Sequence, residues 1–288
     1  MNVLLFGSSG MLGYDLNKSL SKAGVTVFSL TRQDCDVSNE EAIFFMLESH
    51  KNIDYVINCT AYTKVDLAET EQELANLINA KAVHFLAKAC KKHKIPFVHF
   101  STDYVFDGSR TNYAYLETDP CDPINAYGYS KWLGEQHCIN TLSDYYLFRV
   151  QWLYGTNGPN FVKTMVSLMQ TKQELTIVSD QWGTPTATAS LADYVTYVLL
   201  NKPDFGIYHC TDLGNASWYD FATSIASKIN YTGTIHPVDS NHFIRPAKRP
   251  KNGILSCEKL DAKTTLKRYH WKDMLANYLN DNIQGEKQ

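Results

Sequence analysis

Val3-Leu4-Leu5-Phe6-Gly7-Ser8-Ser9-Gly10-Met11-Leu12-Gly13, close to the start of the chain, decides the fold. Four apolar residues run without a polar break and stop at a glycine, the pattern of a strand buried on both faces. Leu12, Leu16 and Leu20 then recur at helical spacing as far as Gly24, a residue suited to end a helix. Residues 25–30 read as a second strand. The glycines stand in a GxxGxxG arrangement between strand and helix. They permit a tight turn and let backbone N–H groups approach a pyrophosphate, whose charge sits at the positive end of the helix. Three glycines alone would also suit a plain turn; their place after a strand and before an amphipathic helix favours the dinucleotide reading.

Outward from this unit the alternation continues. Helices are expected over 40–49 and 72–91 and from about residue 127, with strands over 55–58, 96–100 and 146–150. Strands separated by helices imply right-handed crossovers. The expected class is therefore α/β, a Rossmann-like doubly wound parallel sheet. Residues 1–150 would form the dinucleotide-binding domain. Residues 151–288, with helical segments over 160–170, 190–200 and 217–229, would mainly form a smaller C-terminal substrate-binding lobe, some segments returning to the main domain.

Composition narrows the class of partner. Of 288 residues, 44% are hydrophobic and 20% charged, enough to bury a core. The net charge of -3 carries no long run of one sign, which argues against nucleic acid. Seven cysteines without a close CxxC pair suit free thiols in a reducing compartment. No basic leader and no bilayer-length apolar stretch is present, so a cytoplasmic protein without membrane attachment is expected.

The second strand ends at Thr31-Arg32, where an acidic residue would bind the ribose of NAD; Arg32 instead suits the 2′-phosphate of NADP(H), while nearby Asp34 keeps NAD(H) open. In Tyr127-Gly128-Tyr129-Ser130-Lys131, Tyr127 and Lys131 lie four residues apart and share a helix face. A phenol titrates ordinarily near ~10, and a neighbouring ammonium is expected to pull it down, making a proton shuttle. The strand 96–100 runs into Ser101-Thr102-Asp103-Tyr104-Val105-Phe106-Asp107-Gly108, so Thr102 is expected at the ligand crevice. Nine histidines form no HxxxH or HxxE array, and His99 reads as a core residue; no metal ligand is assigned.

With these motifs in hand, the chain resembles the extended short-chain dehydrogenase/reductase family and, within it, the group that reduces dTDP-4-dehydrorhamnose. The likeness rests on the GxxGxxG loop, Asn58-Cys59-Thr60-Ala61-Tyr62-Thr63 with Val65-Asp66 and Ala68-Glu69, the Ser101–Gly108 stretch and the Tyr127/Lys131 pair. It continues through Arg149-Val150-Gln151-Trp152-Leu153-Tyr154-Gly155, Asp180-Gln181-Trp182-Gly183-Thr184-Pro185-Thr186, and Arg249-Pro250 with Leu255-Ser256.

The resemblance implies reduction of the 4-keto group of a dTDP-linked sugar to dTDP-L-rhamnose. Tyr127 would protonate the carbonyl oxygen, Thr102 hydrogen-bond it, Lys131 hold the ribose hydroxyls and depress the tyrosine, and Asp103 serve in the active site with its role open. Gly7, Ser9, Gly10, Met11, Leu12, Gly13, Arg32, Asp36, Val37, Ala61, Tyr62 and Thr63 would meet the cofactor together with Tyr127 and Lys131. Thr102, Asp103, Trp152, Asp180, Gln181, Thr186 and Arg249 would meet the nucleotide-sugar substrate, though Trp152 also reads as core, Asp180, Gln181 and Thr186 as turn formers and Arg249 as a surface charge. Some relatives are associated with Mg²⁺, whose ligands are not assignable here, and a homodimer is implied. Competing activities on the same fold are 4,6-dehydration, disfavoured by Tyr104 where glutamate would be expected, and 4-epimerisation. A non-catalytic regulatory subunit of methionine adenosyltransferase is the alternative of a different class, disfavoured by the intact Thr102, Tyr127 and Lys131.

Overall fold

The structure, a computed structural model, describes residues 1–111 and 113–283. Six strands form one sheet: β1 (Asn2–Phe6), β2 (Thr26–Leu30), β3 (Tyr55–Asn58), β4 (Phe97–Thr102), β5 (Tyr145–Val150) and β6 (Gly206–His209). All pair in parallel, in the order β6-β5-β4-β3-β1-β2. Helices cover both faces: α1 (Met11–Lys22), α2 (Glu40–Ser49), α3 (Ala82–His93), α4 (Ala126–Thr141) and, later in the chain, α6 (Thr188–Asn201).

The continuous apolar run of β1 is explained by this double cover. Alternate residues face opposite ways. Val3 and Leu5 pack with Leu12, Leu16 and Leu20 of α1 and with Leu191, Val195 and Val198 of α6. Leu4 and Phe6 pack with Ile43 and Leu47 of α2 and with Val83, Leu86 and Cys90 of α3.

The helix expected over 72–91 is more complicated. An α segment, Gln72–Asn76, passes into a π turn, Leu77–Lys81, before α3 begins. Within that turn the Asn79 side chain accepts from the Tyr62 amide at 2.8 Å and donates to the Tyr62 carbonyl at 2.9 Å and to Ser130 Oγ at 2.9 Å. A π turn of this kind is a frequent neighbour of functional sites. Gly134 of α4 makes the approach possible, because a Cβ there would lie 2.1 Å from the Asn79 carbonyl oxygen.

After residue 150 the chain divides its work. β6 and α6 join the main sheet, α6 lying against α1. α5 (Phe161–Thr171), α7 (Trp218–Lys228) and α8 (Trp271–Ile283) gather around a separate core of Tyr154, Val162, Met165, Phe221, Ile225, Trp271 and Leu275. Beside them Glu174–Val178 pairs in parallel with Thr234–Val238. Residues 284–288 of the expected lobe lie outside the described residues. Among the described residues no helix is long and apolar enough to cross a membrane.

Candidate active site

In an open parallel sheet the ligand crevice lies where successive connections leave in opposite directions, beyond the strand C-termini. Here the chain leaves β1 for β2 on one side and returns to β3 on the other. A cavity of about 640 Å³ opens at that point, bounded by residues that follow β1, β3, β4 and β5.

The loop after β1 is built by its glycines. Gly7 has φ of +76°, a left-handed conformation. The amides of Gly7 and Ser8 both donate to the Leu30 carbonyl, at 2.9 and 3.1 Å. A Cβ on Gly13 would stand 2.2 Å from the Gly7 carbonyl oxygen, so α1 seats against the loop only with glycine there. Gly10 occupies the N-cap position without a capping side chain, leaving the positive end of α1 open beside Ser9, Met11 and Leu12 in the cavity wall. Gly7 and Gly13 shape the loop without lining it. The geometry fits a pyrophosphate.

After β3, Ala61 and Thr63 line the cavity but Tyr62 does not; its phenol donates to Glu71 at 2.7 Å. Three further expected cofactor residues also stand off the wall. Val37 is buried in the core beneath α2, and the Arg32 side chain is 84% exposed, 3.4 Å from Asp36. The Asp34 carboxylate accepts the Thr31 amide at 2.8 Å and its hydroxyl at 2.7 Å, closing the turn. Its pKa is lowered by those bonds.

Thr102, Asp103, Tyr127 and Lys131 share one wall of the cavity. The first turn of α4 is fixed in three ways. Asn125 caps it, accepting from the Gly128 amide at 2.7 Å, and Glu69 accepts from the Ala126 amide at 2.8 Å. A Cβ on Gly128 would lie 2.1 Å from the Tyr104 carbonyl oxygen, so the turn presses on the segment after β4. The Tyr127 ring meets Tyr104 edge-on, with centroids 5.7 Å apart.

One electrostatic expectation is overturned. Tyr127 is pushed above the ordinary phenol range by burial, which the neighbouring Thr102 hydroxyl opposes and the Asp103 charge reinforces. Lys131 does not counter this, because its long stem carries Nζ to the Phe100 carbonyl at 2.6 Å. Burial brings the ammonium itself down to about 8. Sharing a helix face did not make the two side chains partners. Asp103, 3% exposed, is raised by burial to about 7 against hydrogen bonds from Gln151 and Thr102.

Gln151, Ser101, Cys59 and Asn157 also line the cavity; the first three stood in the motifs that carry the resemblance, but the sequence reading gave none of the four a site role. Gln151 follows β5 directly, and its position at a strand C-terminus is the signal that would have found it. Burial raises the Cys59 thiol, which argues against a thiolate.

Trp152 lines the same cavity in a left-handed backbone conformation, φ +45°, and stacks on Trp218 with centroids 3.6 Å apart. Beyond that pair lies a second cavity of about 630 Å³, whose walls include Phe161, Ile177, Gln181, Trp218, Phe243 and Arg249. Arg249 forks onto Asp66 at 2.9 and 2.8 Å. Asp180 sits behind the wall, accepting the Ser240 hydroxyl at 2.5 Å. Thr186 is brought to neither cavity: it is fully buried, its hydroxyl donating to the Thr184 carbonyl at 3.1 Å. Its side chain is consumed by a local backbone bond. His99 is buried in β4, with Nδ1 3.3 Å from Asn58 Nδ2. Among the described residues no group of three or more His, Cys, Asp or Glu is placed to hold a metal ion.

The family described as RmlD substrate binding domain matches residues 1–283. The dTDP-4-dehydrorhamnose reductase of Burkholderia thailandensis is 36% identical over 94% of this chain and 96% of its own length. Among solved structures, a dTDP-4-dehydrorhamnose reductase from Clostridium acetobutylicum superposes with a TM-score of 0.94 at 39% identity, covering 99% of this chain and 100% of that one. The Bacillus anthracis dTDP-4-dehydrorhamnose reductase, solved in complex with NADP, gives 0.93 at 34% identity, covering 97% and 99% of the two chains. On the match over residues 1–283 and these full-length likenesses, this chain belongs to the RmlD substrate binding domain family.

Proposed function

We propose that the chain catalyses the NADPH-dependent reduction of the 4-keto group of dTDP-4-dehydro-L-rhamnose, giving dTDP-L-rhamnose. The observation that carries this reading is that Thr102, Tyr127 and Lys131 line the same cavity onto which the N-terminus of α1 opens. The names of the relatives support the substrate. NADPH, when bound, supplies the hydride.

The residues act as follows. The N-terminal amides of α1, with Ser9, Gly10, Met11 and Leu12, hold the pyrophosphate, while Ala61 and Thr63 flank the dinucleotide and Arg32 reaches the 2′-phosphate from the rim. Lys131 bonds the nicotinamide-side ribose hydroxyls. Thr102 and Tyr127 donate to the carbonyl oxygen, and Tyr127 transfers its proton as negative charge develops there. Donors already aimed at that oxygen stabilise the transition state more than the ground state. Tyr127, held above its ordinary range, stays a protonated acid at neutral pH.

Trp152 forms the floor beneath the sugar. The second cavity takes the nucleotide end, with Gln181 and Arg249 as polar contacts and Phe161, Phe243 and Trp218 as apolar walls. Residues 1–150 with β6 and α6 thus make the cofactor half, and the remainder of 151–288 makes the substrate lobe. The seven unpaired cysteines suit a reducing cytoplasm. The test is NADPH oxidation with dTDP-4-dehydro-L-rhamnose followed by product NMR. A rhamnosyl product is expected, and absence of turnover overturns the proposal.

A further inference from the structure

Arg249 stands in the wall of the second cavity, but most of its donors are already committed. A guanidinium carries five N–H donors in a fixed planar arrangement. Three of them are spent inside the protein. Nη1 donates to Asp66 Oδ1 at 2.9 Å and to the Ala247 carbonyl at 2.8 Å, and Nη2 donates to Asp66 Oδ2 at 2.8 Å. The two that remain, on Nε and on the outer side of Nη2, lie side by side along one edge of the plane, a spacing that suits two oxygens of one phosphate. The end-on fork onto Asp66 therefore fixes which edge of Arg249 is left for a ligand.

Both halves of the fork are anchored to the helix that carries Tyr127. Asp66 immediately precedes the 3₁₀ turn Leu67–Glu69, in which Ala68 is fully buried and the Glu69 carboxylate accepts the Ala126 amide at 2.8 Å. Asp66 Oδ1 also accepts the Ala247 amide at 3.3 Å, and the next carbonyl, that of Lys248, accepts from Asn125 Nδ2 at 2.7 Å. Asn125 is the residue that caps α4. Carboxylate and guanidinium thus hang from one frame, the first turn of α4. Arg245 adds a second cation to the same wall, 3.9 Å from Asp66 Oδ2 with its side chain 57% exposed; a contact that long and that open to solvent supplies charge without fixing geometry.

We infer that Asp66 is a positioning residue for the substrate: by gripping Arg249 end-on, it presents the Nε/Nη2 edge to the second cavity, where that edge binds a phosphate of the nucleoside diphosphate. This rests on the reading of that cavity as the nucleotide end of the site. It gives a carboxylate a part in binding an anion. Alone beside the cavity, Asp66 would repel a diphosphate; set against the two guanidiniums of Arg249 and Arg245, it leaves the wall positive and makes the nearer one rigid. A guanidinium whose rotamer is already fixed loses less freedom when the phosphate arrives.

Asp66→Asn tests this with the change of one atom. The amide oxygen can keep the Ala247 amide and Nη1, whereas the amide nitrogen meets Nη2 donor to donor, and the fork is lost. Binding of dTDP, followed by titration calorimetry, should weaken about tenfold, the loss expected when a charge-assisted contact at a partly exposed site is no longer held in place. With dTDP-4-dehydro-L-rhamnose and NADPH, KM should rise by a similar factor while kcat stays within about twofold, because the phosphate is remote from the reacting carbonyl and its binding is common to ground and transition states. In an Arg249→Ala background, where dTDP binding is already weak, Asp66→Asn should cost less than about twofold more. If the alanine variant does not fold, Arg249→Lys takes its place, since an ammonium keeps the charge but has no two-donor edge. Unchanged or tighter dTDP binding in Asp66→Asn overturns the inference. So does a loss of the same size with Arg249 already replaced, which would make Asp66 a structural residue only. A wild type that binds dTDP in this Asp66-dependent way yet never oxidises NADPH with the keto sugar overturns the catalytic reading instead and leaves the phosphate site standing.

Discussion

Tyr127→Phe removes a single oxygen, and the structure allows its consequences to be separated. The ring keeps its edge contact with Tyr104, and the caps of α4 from Asn125 and Glu69 are untouched. Only the hydroxyl is removed, so folded stability should change by no more than about 1 kcal/mol. The NADPH contacts at the α1 terminus lie on other elements, so the dissociation constant should stay within about twofold, a change of less than ~0.5 kcal/mol. Catalysis loses its positioned acid, a loss of about 10²–10⁴ in kcat, equivalent to about 3–5 kcal/mol on the barrier. Three measurements divide these effects: a thermal melt, a fluorescence titration with NADPH, and the rate of NADPH oxidation with dTDP-4-dehydro-L-rhamnose. A variant that keeps more than about a tenth of the wild-type rate would show that the phenol is not the donor. A parallel collapse of NADPH affinity would show that the ring is structural.

Three further outcomes follow from the same geometry. Arg32→Ala should weaken NADPH by about tenfold, the loss of a charge-assisted contact reduced by release from Asp36, and leave NADH almost unchanged; equal weakening of both would remove Arg32 from the 2′-phosphate. Gly134→Ala places a Cβ 2.1 Å from the Asn79 carbonyl oxygen, so α4 must shift. Stability should fall by about 1–3 kcal/mol and the rate with it, and an unaltered melting temperature would contradict the close packing. Asp103 and Asp212 are raised by burial to about 7 and about 6, so the folded protein holds protons there that the unfolded chain has released. Their contribution to stability is therefore lost as pH rises from the unfolded carboxyl value of about 4 through those folded values. Asp103→Asn should remove its share, visible in chemical denaturation as a shallower decline between about pH 5 and 8.

The six-stranded sheet was largely legible, because a strand covered on both faces needs an unbroken apolar run. Val3 to Phe6, and Tyr55 to Ile57, carry no side chain that must face water. The glycine loop was legible for a related reason: Gly13 against the Gly7 carbonyl is a steric requirement that only one residue type meets. β6 was not legible. Gly206–His209 is four residues long and joins β5 far along the chain, so its pairing is decided by the edge available to it.

Residue types and their order along the chain determined that a tyrosine, a lysine and a threonine would meet at the mouth of a dinucleotide fold, since helix periodicity and strand ends are local properties. Tertiary structure alone decided their electrical states. Lys131 was expected to lower the Tyr127 phenol, yet the Phe100 carbonyl takes its Nζ and burial raises Tyr127 instead. Thr186 and Tyr62 were spent on bonds within the protein, while Gln151, given no site role from the sequence, was turned onto Asp103 by the Thr184 amide. Hydrogen-bond direction and desolvation depend on every neighbour at once, and those neighbours come from segments far apart in the chain.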